Sequence, residues 1–84
     1  MTTAADPTPA QIVGRNIAIA RKLAGMNQAQ LAECVGVPAS YISTWEGGRH
    51  EPRAASFLRL EEVLEKPRWW FYKDHSRDDD EAAA

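Results

Sequence analysis

Ser40, Ser43 and Thr44 are the side chains with chemistry to offer in the segment "PASYISTWEG", residues 38–47. Ser40 and Thr44 lie four apart, so on a helix they share one face. Ala39, Tyr41 and Ser43 flank them. Small side chains and hydroxyls in this pattern supply hydrogen bonds and close approach rather than covalent catalysis. A helix with such a face can enter the major groove of duplex DNA and meet the base edges. A merely solvated face fits the same residue types, and the types alone leave both readings open.

No other group suggests a reaction. There is no Ser/His/Asp set and no phosphate loop. Cys34 is the only cysteine, so it reads as a small helical filler rather than a redox sensor, and no internal disulfide is possible. His50 and His75 lack partners at metal-ligand spacing. Asp78, Asp79, Asp80 and Glu81 form an acidic run with no turn glycine or distal ligand. Neither an enzyme nor a metal nor a cofactor is expected.

The elements that must hold the Ser40/Thr44 face are helices. Thr8, Pro9 and Gln11 form a helix start with a capping box, and Val13, Ile17, Ala20 and Ala24 follow at helical spacing up to Gly25. Asn27 and Gln30 repeat the box. Leu31, Ala32 and Val35 then form an inward face that ends at Gly36. Pro38 opens a third segment with Ile42 and Trp45 inward, stopped by Gly47-Gly48. Pro52 starts a fourth, with Phe57, Leu60 and Leu64 on one side, and Pro67 introduces a short terminal one, "RWWFYK". No window alternates with period two. The prediction is an all-α bundle of about five short helices. The second and third segments have about eight residues each and would not persist alone in water. Across a tight turn at Gly36 they can pack on one another, leaving the outer face of the third free.

An 84-residue chain with 44% hydrophobic and 26% charged residues has the make-up of one small globular domain. The run "IVGRNIAIA" is too short to span a membrane, and "MTTAADPTP" has neither the basic nor the apolar part of a secretion signal. A cytoplasmic location is expected. The net charge of −2 hides an asymmetry: residues 1–73 hold nine Lys/Arg against seven Asp/Glu, while residues 74–84 hold Arg77 against five acids. A mildly basic body with an acidic tail is compatible with a nucleic-acid partner. The predicted organisation is a flexible arm at 1–7, a helical domain at 8–73 and an acidic, disordered tail at 74–84.

From about Ile12 to Tyr72 the chain resembles the Cro/C1-type helix-turn-helix family, also called XRE-like, of phage repressors and bacterial regulators. The resemblance is carried by "QAQLAECVGVPASYISTWEG", with Ala32, Gly36, Val37, Ile42 and Trp45 at the family's small, turn and core positions. "WEGGRHEPR" is similar to the family's Trp-Glu-x-Gly loop, and "FLRLEEVL" and "WWFY" to its last two helices. The resemblance implies a lambda-repressor-like DNA-binding domain. It implies phosphate contact from Gln28, beside Asn27 at the start of the second helix. It implies base-edge contact from Ala39, Ser40 and Thr44, with Tyr41 and Ser43 at their flanks, and contact with phosphate or the minor groove from Arg49 and Arg53. Ala39 stands where larger polar residues are common, which leaves it only a thymine methyl to read. Arg21 and Glu46 match a structural pair linking the first helix to the end of the third. The chain departs from the family at Glu61, a usual alanine, and at Glu65-Lys66-Pro67, a usual Gly-Val-Ser.

Two functions remain in view. One is a sequence-specific, repressor-like transcriptional regulator that binds a palindromic DNA operator, as a homodimer at least on DNA. The other is an antitoxin-like or anti-regulator module that binds a protein through the same fold. Trp69, Trp70, Phe71 and Tyr72 bear on both, as core closure or as a dimer contact, since four consecutive aromatics cannot all face inward on a short helix.

The tail should compete with DNA phosphate for Arg49 and Arg53. Truncation after His75 is expected to tighten binding to random duplex at low salt and less so at high salt, because non-specific binding is electrostatic and exposed charges are screened within about 8–10 Å at physiological ionic strength. Equal low-salt affinity of the truncated and full chains leaves the tail as solvated charge only.

Overall fold

Thr8 and Asn27 start the first two helices in the same way. The Thr8 hydroxyl accepts the Gln11 N–H at 3.1 Å, and the Gln11 carboxamide oxygen accepts the Thr8 N–H at 2.9 Å. Asn27 and Gln30 make the same exchange at 2.7 and 2.8 Å. Each pair satisfies two backbone donors that a helix start leaves unbonded, an effect of about 1 kcal/mol per cap. The computed structural model describes residues 6–75. They form α1 (Pro9–Leu23), α2 (Gln28–Val35), α3 (Ala39–Glu46), α4 (Ala54–Leu64) and α5 (Arg68–Tyr72). No strand occurs among the described residues, so the all-α, five-helix expectation holds. Most of the predicted arm and the Asp78–Glu81 run lie outside them.

The helix ends follow from local sequence, with three corrections. Gly25, at φ 74°, lets the Met26 N–H reach back to the Arg21 carbonyl (3.1 Å) while its own N–H bonds Lys22 (3.0 Å), and Met26 packs on the core. Ala24, expected on the buried stripe, is exposed, because α1 ends at Leu23 and helical spacing no longer governs the next residue. Pro38 is the residue before α3 rather than its first, with ψ 148° still extended. The fourth helix begins at Ala54 rather than Pro52, since Arg53 at ψ 161° is extended and Pro52 instead buries its ring. At the end of α4, Glu65 takes the left-handed conformation (φ 55°) where the family pattern has glycine. This conformation costs a non-glycine residue about 1–2 kcal/mol.

Every helix contributes to one core. Val13, Ile17 and Ala20 of α1 meet Leu31, Ala32 and Val35 of α2, Ile42 and Trp45 of α3, Phe57, Leu60 and Leu64 of α4, and Phe71 of α5. The small Ala32 keeps α2 close to α3. Asn16 is the one polar residue buried among the described residues. Its side-chain amide donates to the Phe71 and Lys73 carbonyls, both at 2.7 Å, and more weakly to that of Trp70 at 3.3 Å. Those carbonyls lie at the C-terminal end of α5, so α1 supplies a side-chain cap there, and the Trp70 carbonyl also meets the Lys73 N–H and the His75 ring.

Two contacts seat α3 against α1. Gly14 is buried under the last turn of α3, and a Cβ there would lie 2.0 Å from the Trp45 carbonyl oxygen. Beside it, Arg21 grips Glu46 with two hydrogen bonds, Nε to Oε2 at 2.7 Å and Nη2 to Oε1 at 3.1 Å. Its Nη1 donates to the Met26 carbonyl at 2.9 Å. The pair is nearly enclosed, with side-chain exposures of 12% and 9%. The hydrogen bond to Glu46 holds the guanidinium pKa above its ordinary value, against burial, which lowers it. The Gln28 amide also donates to Glu46 Oε1, at 3.0 Å, so one carboxylate joins α1, α2 and α3.

Glu46→Ala leaves an enclosed guanidinium without its partner and is expected to cost about 3 kcal/mol in chemical denaturation, the lower range for breaking a buried pair. An unchanged midpoint rejects this. Gly14→Ala forces backbone apart rather than a flexible side chain and should cost about 1–3 kcal/mol in the same measurement.

Candidate nucleic-acid interface

With Ile42 and Trp45 buried and Glu46 turned onto Arg21, the remaining five residues of α3 face outward to differing degrees. Ala39, Ser40, Tyr41 and Ser43 are exposed and Thr44 is half-buried. Tyr41 leans edge-on against Trp45, ring centroids 6.2 Å apart at 70°, so its ring rests on the core side chain while its hydroxyl end projects. The face is therefore polar, shallow and firm. Nothing on it is charged, so electrostatic attraction to an anion must come from its borders.

One border is the loop into α4. Arg49 follows α3 and is exposed, with its N–H reaching the Thr44 carbonyl at 3.3 Å. Arg53, also exposed, stands immediately before α4, which starts without a side-chain cap. Between α3 and α4 lies an open cleft of about 530 Å³ lined by Tyr41, Thr44, Trp45, His50, Glu51, Arg53 and Ser56. It brings together three residues singled out in the sequence, Tyr41, Thr44 and Arg53. Ala39, Ser40, Ser43 and Arg49 lie outside it.

The other border is the start of α2. Asn27 is exposed, and its carboxamide oxygen is committed to the cap. Gln28 gives one hydrogen bond to Glu46. A carboxamide has two N–H donors, so the contact with Glu46 also fixes the direction of the second.

Sequence reading passed over four contributors. His50 and Ser56 line the cleft, and the signal for them was their place directly after the third helix and in the first turn of the fourth. Asn16 and Gly14 position α5 and α3. Asn16 had a legible signal: it falls on the Val13–Ile17–Ala20 stripe, where a polar residue must find buried partners. Gly14 had none, because the approach of α3 is a tertiary fact.

The four terminal aromatics divide. Phe71 is fully buried, edge-on to Phe57 at 5.4 Å, and Trp70 packs partly on the core with Lys66 Nζ 5.0 Å over its ring. Trp69 is 63% exposed and Tyr72 42%. Among the described residues, no three His, Cys, Asp or Glu side chains gather as a metal site, and no helix is long and apolar enough to cross a membrane.

Comparison with known proteins agrees with this architecture. A family model described as helix-turn-helix matches residues 17–70. Two curated proteins described as uncharacterized HTH-type transcriptional regulators, from Sinorhizobium medicae (strain WSM419) and Rhizobium meliloti (strain 1021), are each 30% identical to the chain over 69 residues, which is 81% of this chain and 50% of theirs. The chain thus spans about half the length of the curated relatives it matches. The restriction-modification controller protein C.AhdI from Aeromonas hydrophila superimposes with a TM-score of 0.69 at 22% identity, over 75% of this chain and 96% of that one. A hypothetical transcription factor, NHTF from Neisseria, does so with a TM-score of 0.73 at 18% identity, over 87% and 85%. These two likenesses establish a shared fold. The matched span runs from the middle of α1 into α5, and it takes in the whole α2–Gly36–α3 unit on which the sequence resemblance rested: the chain belongs to the XRE-type helix-turn-helix family.

Proposed function

We propose that this chain is a transcriptional regulator that binds double-stranded DNA and reads sequence with α3 in the major groove. The observation that carries the reading is α3 itself: Ile42 and Trp45 hold it, and its outer face presents small and hydroxyl-bearing side chains on a rigid seat. Ser40 and Thr44 donate to or accept from base edges, and Ala39 meets a thymine methyl. Tyr41 and Ser43 lie towards the strand borders. Arg49 and Arg53 on one side, and Asn27 and Gln28 at the start of α2 on the other, take backbone phosphates, which fix register without reading bases. Regulation is repressor-like, by occupation of the operator. Two copies bind a palindrome whose half-sites lie about 10 base pairs apart, one helical turn. That the curated relatives are described as transcriptional regulators supports the reading.

A second reading has one observation in its favour, the exposed Trp69. It makes the fold a docking module for a protein partner.

Selection of bound sites from a random duplex pool separates the two. The regulator reading expects a salt-sensitive complex with one preferred sequence. Thr44→Ala should alter the preferred bases at a cost of about 1–3 kcal/mol on the best site, whereas Arg53→Ala should weaken all sequences alike and flatten the salt dependence. A Thr44→Ala protein with the same selected sequence and full affinity removes α3 from the groove. Failure to retain any duplex at low salt, with a protein partner recovered instead, supports the second reading.

A further inference from the structure

The cleft beside α3 contains a carboxylate, and this sits oddly with a phosphate-facing border. Glu51 shares the cleft with Arg53, His50, Thr44 and Ser56. It does not end in an ion pair there. Its Oε1 accepts a hydrogen bond from the Tyr72 hydroxyl at 2.5 Å, across 21 residues of chain.

Tyr72 is delivered to that position by packing. Its ring stacks on Phe57 of α4, centroids 5.8 Å apart and planes within 25°. Phe57 is buried and carries the Arg68 guanidinium 4.2 Å from its ring centre. Arg68 is in turn bonded to Glu61, Nε to Oε2 at 2.7 Å. The cation nearest the phenol in the terminal helix is thus already committed to another acid. The Tyr72 phenol is held above its ordinary pKa, first by the hydrogen bond to Glu51 and then by burial, so the proton stays on the donor.

We infer that the Tyr72–Glu51 hydrogen bond is a positioning clasp, which turns the Glu51 carboxylate towards α5 and so leaves Arg53 to a phosphate of bound nucleic acid. Without the phenol, the carboxylate's remaining polar neighbours are those of the cleft, and a carboxylate beside Arg53 competes with phosphate for it. Tyr72 is then a positioning residue for binding although it belongs to the terminal helix, outside the α2–α3 unit. The inference rests on the DNA-binding reading above and adds a role for two residues to which that reading gives none.

The test uses the full chain, its selected duplex and a random duplex of the same length, at low and high salt. Tyr72→Phe keeps the ring on Phe57 and removes only the hydroxyl. It should weaken both duplexes roughly two- to fivefold at low salt, the scale of an exposed charge pair, and less at high salt. Adding Glu51→Gln to Tyr72→Phe should restore the affinity, because the competing charge is gone. Both proteins lack the phenol donor, so their thermal stabilities should be close and a difference in binding reports charge rather than folding. Undiminished affinity in Tyr72→Phe overturns the inference, and so does a loss that Glu51→Gln fails to repair, which would assign the bond to ordering the loop. If the wild-type chain itself binds neither duplex, the DNA-binding reading fails and the inference fails with it; the two failures are told apart by the wild-type result.

Discussion

The Glu46 carboxylate is where three helices meet. It takes two hydrogen bonds from Arg21 of α1 and one from Gln28 of α2, and it is the last residue of α3. An eight-residue helix has little stability of its own. Buried side chains supply most of what it lacks, but Ile42 and Trp45 lie on one side only and leave rotation about their contact loosely defined. A near-enclosed, bidentate pair at the far end removes that freedom. Such pairs contribute little net stability compared with apolar substitutes, and their value lies in orientation. Here the orientation at stake is that of the exposed face of α3.

Gly14 sets the distance at which this occurs. The absence of a Cβ lets α1 come up against the backbone of Trp45 and Glu46, close enough for Arg21, about two turns further on, to reach the carboxylate. The same first helix holds α5 through Asn16, whose amide bonds the Phe71 and Lys73 carbonyls at the end of that helix. One helix thus fixes two others, α3 by an ion pair and α5 by a buried amide. Both are polar contacts placed among apolar packing, and both are satisfied, as buried polar groups must be.

This arrangement accounts for the division of labour in the proposed function. On that proposal the outer face of α3 is neutral and the charges sit at its borders, so affinity and selectivity would depend on different residues. The loop from Arg49 to Arg53 is short and carries acid as well as base, and its electrostatic character depends on where Glu51 points. The aromatic α5 is bonded to that loop through Tyr72. The terminal helix is therefore connected to the candidate interface by direct contact, although it contributes no residue to the reading face.

Much of the fold was legible in the chain itself. Capping boxes at Thr8 and Asn27, the stop at Gly36 and the apolar spacing of α2 and α3 depend on residues within a few positions of one another, and local chemistry is what a sequence states directly. Family resemblance added the pairing of Arg21 with Glu46, which spacing could not supply. What the sequence left open has a common cause in contacts between distant segments. Pro38 and Pro52 marked helix starts one and two residues early, because a proline fixes its own φ but not the ψ that decides where helical geometry begins. The composition of "RWWFY" could not say which rings face inward; Phe57, 14 residues before Phe71, decided it. Glu51 lies in the "WEGGRHEPR" loop with no sequence neighbour to orient it, and only the arrival of Tyr72 through the packing of α5 on α4 gave that charge a direction.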